Sequence, residues 1–141
     1  MENQIDLFDL NILDLCVGTG NISFEFVSRG AKHVLSIDSH PRCVQYLKGN
    51  IRDLEIEEQM QVYKSDCVVY CRNAQNVQYD LIFTDPPYLM DFTGGIHGDG
   101  SKSFNAKHGS IKNDKMSDKE GDDFLDAINS VITSKVDGAF Y

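Results

Sequence analysis

A carboxylate, two prolines and an aromatic ring stand in succession at Asp85-Pro86-Pro87-Tyr88, directly after the apolar run Tyr79-Asp-Leu-Ile-Phe-Thr84. The prolines fix φ and remove two N–H donors, leaving the carbonyls of Asp85 and Pro86 to point at a ligand. A planar amine could donate to the Asp85 carboxylate and to a carbonyl while stacking on Tyr88. Asp-Pro is also ordinary turn chemistry, so these four residues alone fit a strand-ending turn equally well. In an open α/β sheet, however, the C-terminal edge of a strand is where ligands bind.

Upstream, three more acids fall at comparable places. Asp14 precedes a loop of Cys16, Val17, Gly18, Thr19 and Gly20, in which glycines admit a ligand close to the backbone. Exposed N–H groups there would favour a carboxylate or phosphate. The loop is G-x-G only; Ile22 and Ser23 bring no third glycine, so the dinucleotide fingerprint fails. Asp38, followed by Ser39, lies 18 residues past Gly20, where an acid commonly holds ribose hydroxyls. Ser65 and Asp66 come next, placed to meet an adenine amine, and Asp14 could face an amino or sulfonium cation. Each acid taken singly also reads as a helix cap or a solvated loop residue. Together they describe an adenosine-bearing cofactor with a free amino acid end and no pyrophosphate. S-adenosylmethionine fits that description.

The elements that must position these residues alternate. Residues 11–16 read as a buried strand, 21–29 as a helix with Ile22 and Phe26 inward and Gly30 as its C′ residue, and 34–37 as a second strand. Pro41 suits the first turn of a helix carrying Cys43, Val44, Leu47, Ile51 and Leu54 along one side. A strand over 60–63, a short helix over 68–73 and the strand before Asp85 follow. Alternation at this spacing predicts an α/β fold, a Rossmann-like and mostly parallel sheet with helices on both faces and right-handed crossovers. Beyond Tyr88, residues 93–115 form a Gly/Lys-rich stretch without apolar periodicity, read as a flexible loop. An amphipathic helix over 117–134 follows, with Phe124, Leu125, Ile128, Val131 and Ile132 as its stripe, and then the start of a strand at Gly138. The expectation is one domain over 1–141, a partial one cut short at both ends.

With 13 basic and 22 acidic residues the net charge is −9, unlike a general nucleic-acid binder. Lys102, Lys107, Lys112 and Lys115 make the one candidate phosphate-gripping patch, which also reads as a solvated lid. The four cysteines form no C-x-x-C pair and have no histidine at zinc-finger spacing, so no metal site is expected and the thiols read as small buried groups. His33, His40, His97 and His108 read as surface residues. No apolar run nears the roughly 20 residues of a membrane span, and the N-terminus is no signal peptide. A cytoplasmic, monomeric protein is expected, with no membrane partner.

Asp14-Leu-x-x-Gly18-x-Gly20 followed by Asp85-Pro-Pro-Tyr88 resembles motifs I and IV of S-adenosylmethionine-dependent methyltransferases acting on exocyclic base amines. From residue 11 to 88 the chain is similar to RsmD-type enzymes, which methylate N2 of a guanine in 16S rRNA. The resemblance implies that Asp14, Gly18, Gly20, Asp38 and Asp66 bind the cofactor and that Asp85, Pro86, Pro87 and Tyr88 hold the target base. Two departures stand out. RsmD-type enzymes carry a further N-terminal segment with a threonine- and arginine-containing stretch, absent before Met1. Residues 85–141 are instead similar to phage-type DNA amino-methyltransferases, in which a Gly/Lys-rich loop follows D-P-P-Y. The expected substrate is rRNA of the small ribosomal subunit. A DNA adenine-N6 or cytosine-N4 methyltransferase and an inactive cofactor-binding remnant are the alternatives.

Overall fold

The strand Asn11–Leu15 (β1) is apolar apart from Asn11 and Asp14, and Ile12, Leu13 and Leu15 are buried. A strand covered on both faces reads as such a continuous apolar run. The computed structural model describes residues 5–74, 78–85 and 118–140. β1 pairs in parallel with His33–Asp38 (β2) on one edge and Tyr79–Thr84 (β4) on the other. Met60–Lys64 (β3) adds to β2 and Val136–Phe140 (β5) to β4, so the sheet order is β3-β2-β1-β4-β5 with every pair parallel. β3 carries the edge pattern, with Gln61, Tyr63 and Lys64 exposed and Met60 and Val62 buried.

The helices are Asn21–Ser28 (α1), Pro41–Asp53 (α2), Cys67–Asn73 (α3) and Asp118–Lys135 (α4). Connections β1-α1-β2 and β2-α2-β3 run outward in one direction, and β4 then returns to the far side of β1. Right-handed crossovers place α1 and α2 over one face and, after that reversal, α3 over the other. The face beneath α1 and α2 is filled by Ile12, Val34, Met60, Val62 and Leu81 packed with Phe26, Val44, Leu47 and Ile51. Phe26 meets Phe83 edge-on at a centroid distance of 5.7 Å. A hydrogen bond of 2.6 Å between the Tyr70 and Tyr79 hydroxyls joins α3 to β4.

Helix ends follow local chemistry. Pro41 opens α2, whose cap His40 accepts from the Arg42 amide. α1 ends with Gly30 N–H donating to Val27 and Ala31 N–H to Phe26, the paired pattern of a glycine-terminated helix. Three apolar positions differ from expectation. Ile22 and Leu125 are exposed, and Ser23 and Ala127 take the inward places beside Phe26 and Ile128. Leu54 is exposed because it caps α2 instead of extending its stripe. Phe124 and Ile128 are buried as expected; side chains at 131 and 132 lie outside the description.

Contacts divide the chain into two compact units, residues 1–86 with 126–141, and residues 87–125. The sheet belongs to the first. Only 118–125 of the second is described, and the loop expected over 93–115 lies outside the described residues.

Gly20, at φ 82°, starts α1 against the side of Leu47, and a Cβ there would collide with Leu47 Cδ2. Leu47 is fully buried, so making way for that Cβ means repacking the core around it. Gly18, at φ 59°, would meet nothing within 4 Å. Gly20→Ala should therefore destabilise by about 2–4 kcal/mol, combining left-handed backbone cost with overpacking. Gly18→Ala should cost only the backbone part, about 1–2 kcal/mol. Urea midpoints check this; equal losses would remove the packing account.

Candidate functional site

Strand order reverses between β1 and β4, so the C-terminal ends of β1, β2 and β4 meet where a doubly wound sheet opens its crevice. Side chains alternate along a strand. Asp14 is in register with Ser36 of β2 and Phe83 of β4. The alternation therefore places Asp38 and Asp85, two positions on, on the same face one step nearer the crevice.

Asp14 is buried and fixed. Ser23 Oγ donates to Asp14 Oδ2 at 2.5 Å and shares a 2.7 Å hydrogen bond with Ser36 Oγ. Both serines are fully buried. Burial above all pushes the Asp14 carboxyl up to about 6; the Ser23 hydroxyl pulls it down, and the Asp85 and Asp38 charges add to the rise. Three carboxylates thus share one electrostatic neighbourhood at the strand ends. An amino or sulfonium cation placed there would relieve their repulsion.

The loop after β1 is held from three directions. Cys16 N–H donates to Cys67 Sγ at 3.2 Å, Val17 N–H to the Ile37 carbonyl at 3.1 Å, and Gly18 N–H to Asp38 Oδ2 at 2.8 Å. Gly20 N–H closes a turn onto Val17 at 3.0 Å. These amides do not form the open anion cradle expected from the sequence. With a neutral thiol, a carbonyl and a carboxylate already accepting, the loop is built to be rigid instead. What it leaves open is the Gly18 face, where no atom stands within 4 Å of a would-be Cβ. That face, flanked by Asp38 and above Asp14, suits a ligand bearing a cation and hydroxyl groups.

Asp38 clips two elements, since its Oδ1 accepts from His40 N–H at 2.7 Å while Oδ2 holds Gly18. A carboxylate has about four acceptor positions, so capacity remains for hydroxyl donors. Ser39 is exposed beside it. Ser65 N–H donates to the Asp38 carbonyl at 3.0 Å, which brings the β3 end beside the β2 end. Asp66 is the N-cap of α3, accepting from Val69 N–H at 3.1 Å, so one oxygen does the helix-capping job that any such acid could do. Asp85 is exposed at the end of β4. Pro86, Pro87 and Tyr88, like Lys102, Lys107, Lys112 and Lys115, lie outside the described residues. His40 is exposed and His33 half-buried; His97 and His108 are outside the description.

Four residues were not anticipated as a group. Ser23 and Ser36 are polar residues at inward positions, and Ser36 stands opposite Asp14 once β1 and β2 are aligned. That alignment is the signal that could have exposed them. Thr84 Oγ1 is buried with no hydrogen bond among the described residues, immediately before Asp85. Cys67, 51 residues from Cys16, has no signature in spacing at all.

The raised Asp14 value has a direct consequence. Its folded value, about 6, lies above the unfolded value near 3.8, so the folded chain holds a proton between these limits that the unfolded chain has released. The resulting stabilisation is full below about pH 4 and lost as pH rises through about 6. Asp14→Asn should gain on the parent across that window by up to about 3 kcal/mol and hold a constant difference above it. Urea midpoints at stepped pH measure the difference, and an Asp14→Asn advantage that shrinks as pH rises from about 4 to about 6 would contradict the burial.

Comparison with known proteins gives the chain its family and its fold. The family profile described as "Conserved hypothetical protein 95" matches residues 3–95. The candidate rRNA methyltransferase YlbH of Bacillus subtilis is 33% identical over 78 residues, 54% of this chain and 42% of its own length. The ribosomal RNA small subunit methyltransferase D of Haemophilus influenzae is 32% identical over 78 residues, 54% of this chain and 40% of its own. The chain thus spans less than half the length of these relatives. Among solved structures, a candidate methylase from Haemophilus influenzae superposes with a TM-score of 0.62 at 22% identity, over 92% of this chain and 57% of its own. That likeness shows the fold, a Rossmann-like methyltransferase fold. No helix among the described residues is long and apolar enough to cross a membrane. By its profile match over residues 3–95, the chain belongs to the Conserved hypothetical protein 95 family.

Proposed function

We propose that this chain binds S-adenosylmethionine at the ends of β1, β2 and β3 and directs methyl transfer to an exocyclic amine of a nucleic-acid base. Guanine N2 of 16S rRNA, in the small ribosomal subunit of the cytoplasm, is the substrate this reading favours. The observation that carries it is the convergence of Asp14, Asp38 and Asp85 around the open Gly18 face at the strand-order reversal. Two relatives named as rRNA methyltransferases support the choice of RNA.

S-adenosylmethionine supplies an electrophilic methyl group on a sulfonium sulfur. In this reading Asp38 accepts from ribose hydroxyls while keeping Gly18 in place. Asp14, oriented by Ser23, presents negative charge to the cationic amino acid end. Ser65 and Asp66 border the adenine. Asp85 accepts a hydrogen bond from the target amine, which localises the nitrogen lone pair and offsets positive charge growing there. That step needs no strong base, so no histidine takes part. The roles of Pro86 as second acceptor and Tyr88 as stacking ring rest on the sequence alone. The base must be unstacked or single-stranded to reach Asp85.

Calorimetric titration should show S-adenosylmethionine binding that Asp38→Ala weakens at least about tenfold, the order expected when a charge-assisted hydrogen bond is lost. Asp85→Ala should keep that binding and lose transfer of a labelled methyl into 30S-subunit RNA on the order of 10²-fold. Label entering adenine-containing DNA instead would overturn the RNA assignment. Binding without transfer to any nucleic acid would leave a cofactor-binding protein only.

A further inference from the structure

Two thiols meet beside the strand-end site. Cys16 Sγ and Cys67 Sγ lie 3.2 Å apart, and the Cys16 amide also donates to Cys67 Sγ. Both cysteines are free. Cys16 occupies a left-handed backbone conformation, φ 60°, uncommon for a side-chain-bearing residue. Its sulfur is therefore aimed by a backbone that the loop's hydrogen bonds hold in place. Cys16 is partly exposed, and Cys67 is buried at the first position of α3.

We propose that Cys16 and Cys67 are a site of reversible oxidative modification, an intramolecular disulfide formed with a peroxide or a small-molecule disulfide as oxidant. The sulfurs need approach only by roughly 1.2 Å to reach bonding distance. Accessibility sets the order of events, because an oxidant reaches Cys16 first. The Cys16 thiolate attacks hydrogen peroxide, the O–O bond breaks, and Cys16 becomes a sulfenic acid with release of hydroxide. Cys67 sulfur then attacks the Cys16 sulfur; the S–S bond forms, the S–O bond breaks, and water leaves with the thiol proton. Two thiols have given two electrons, and one peroxide has become two waters. The hydrogen bond to Cys16, together with burial, pushes the Cys67 thiol far up, so Cys67 is not the sulfur that meets the oxidant first. Disulfides of reducing compartments are usually transient or redox-sensing, and a strand-end pair with one accessible thiol fits that use.

The bond would tie the β1 loop to the start of α3, next to Gly18 and Asp66. Resting on the cofactor reading above, the disulfide lowers affinity for S-adenosylmethionine, since both walls of that site move toward each other.

The 141-residue chain, reduced and then exposed to stoichiometric hydrogen peroxide, is analysed by intact mass and peptide mapping. The expected result is loss of two hydrogens, a cross-linked peptide joining Cys16 to Cys67, and reversal by dithiothreitol. Cys16→Ser and Cys67→Ser each abolish the cross-link, while Cys43→Ser and Cys71→Ser keep it. Cross-links to Cys43 or Cys71, intermolecular bonds only, or sulfinic acid at Cys16 without a cross-link would overturn the site. S-adenosylmethionine titration of reduced and oxidised protein reads the consequence, expected as a loss on the order of 5- to 150-fold, the usual range of coupling between sites. Equal affinities would overturn the coupling. The mapping result is independent of cofactor binding, so a failure of the cofactor reading is seen separately in the reduced protein.

Discussion

β1 is hydrogen-bonded on both edges, and that double pairing governs the rest of the first unit. A parallel strand with neighbours on both sides must be apolar on both faces, which explains why Asp14 is its one acid and why that acid is so constrained. The same pairing fixes where β2 and β4 end. Because all three strands run in one direction, their C-terminal residues must appear along one edge. Crossovers that depart left and right of β1 leave a gap there. The gap follows from topology before any side chain is considered.

The acids at this edge carry a cost that the core must offset. Asp14 is held without a cationic partner in the described structure, and its carboxyl has moved up to about 6 in response. A residue serving stability alone would be apolar at that position, as Ile12, Leu13 and Leu15 are. Retaining a buried carboxylate, and two buried serines to hydrogen-bond it, is the pattern of a site where local stability has been exchanged for function. The loop's rigidity points the same way. Amides that might have gripped an anion are tied to β2 and α3 instead, which favours a ligand whose charge is positive where it meets the loop.

Much of this was legible in the chain. Strands announced themselves as continuous apolar runs, and Gly18, Gly20, Gly30 and Pro41 marked loop and helix ends through their backbone preferences. The register was less accessible, and with it the Asp14-Ser23-Ser36 group, because a serine inside an apolar strand gives no local clue to its partner. Helix faces misled where a hydrophobic residue sits at the rim: Ile22, Leu54 and Leu125 fit a stripe by spacing yet face solvent. Spacing counts positions, whereas burial depends on what stands opposite. Asp66 shows the converse, since its capping bond satisfies the bland expectation without deciding whether its remaining oxygen meets a ligand.

The thiol pair illustrates how one fold constraint produces two chemistries. Cys16 is placed by the turn that delivers Gly18 to the crevice, and Cys67 by the turn in which Asp66 caps α3. Neither turn could shift without disturbing the strand ends, so the sulfurs are brought together by the geometry that assembles the site. A group needing both turns in their reduced separation and a covalent bond closing that separation would then compete for the same loop. Linkage requires the reciprocal effect: a ligand that favours the open loop must disfavour the disulfide at equilibrium by the same factor by which the disulfide weakens the ligand. The proposed disulfide between Cys16 and Cys67 and the proposed occupancy of the Gly18 face would then be two coupled equilibria, each biasing the other.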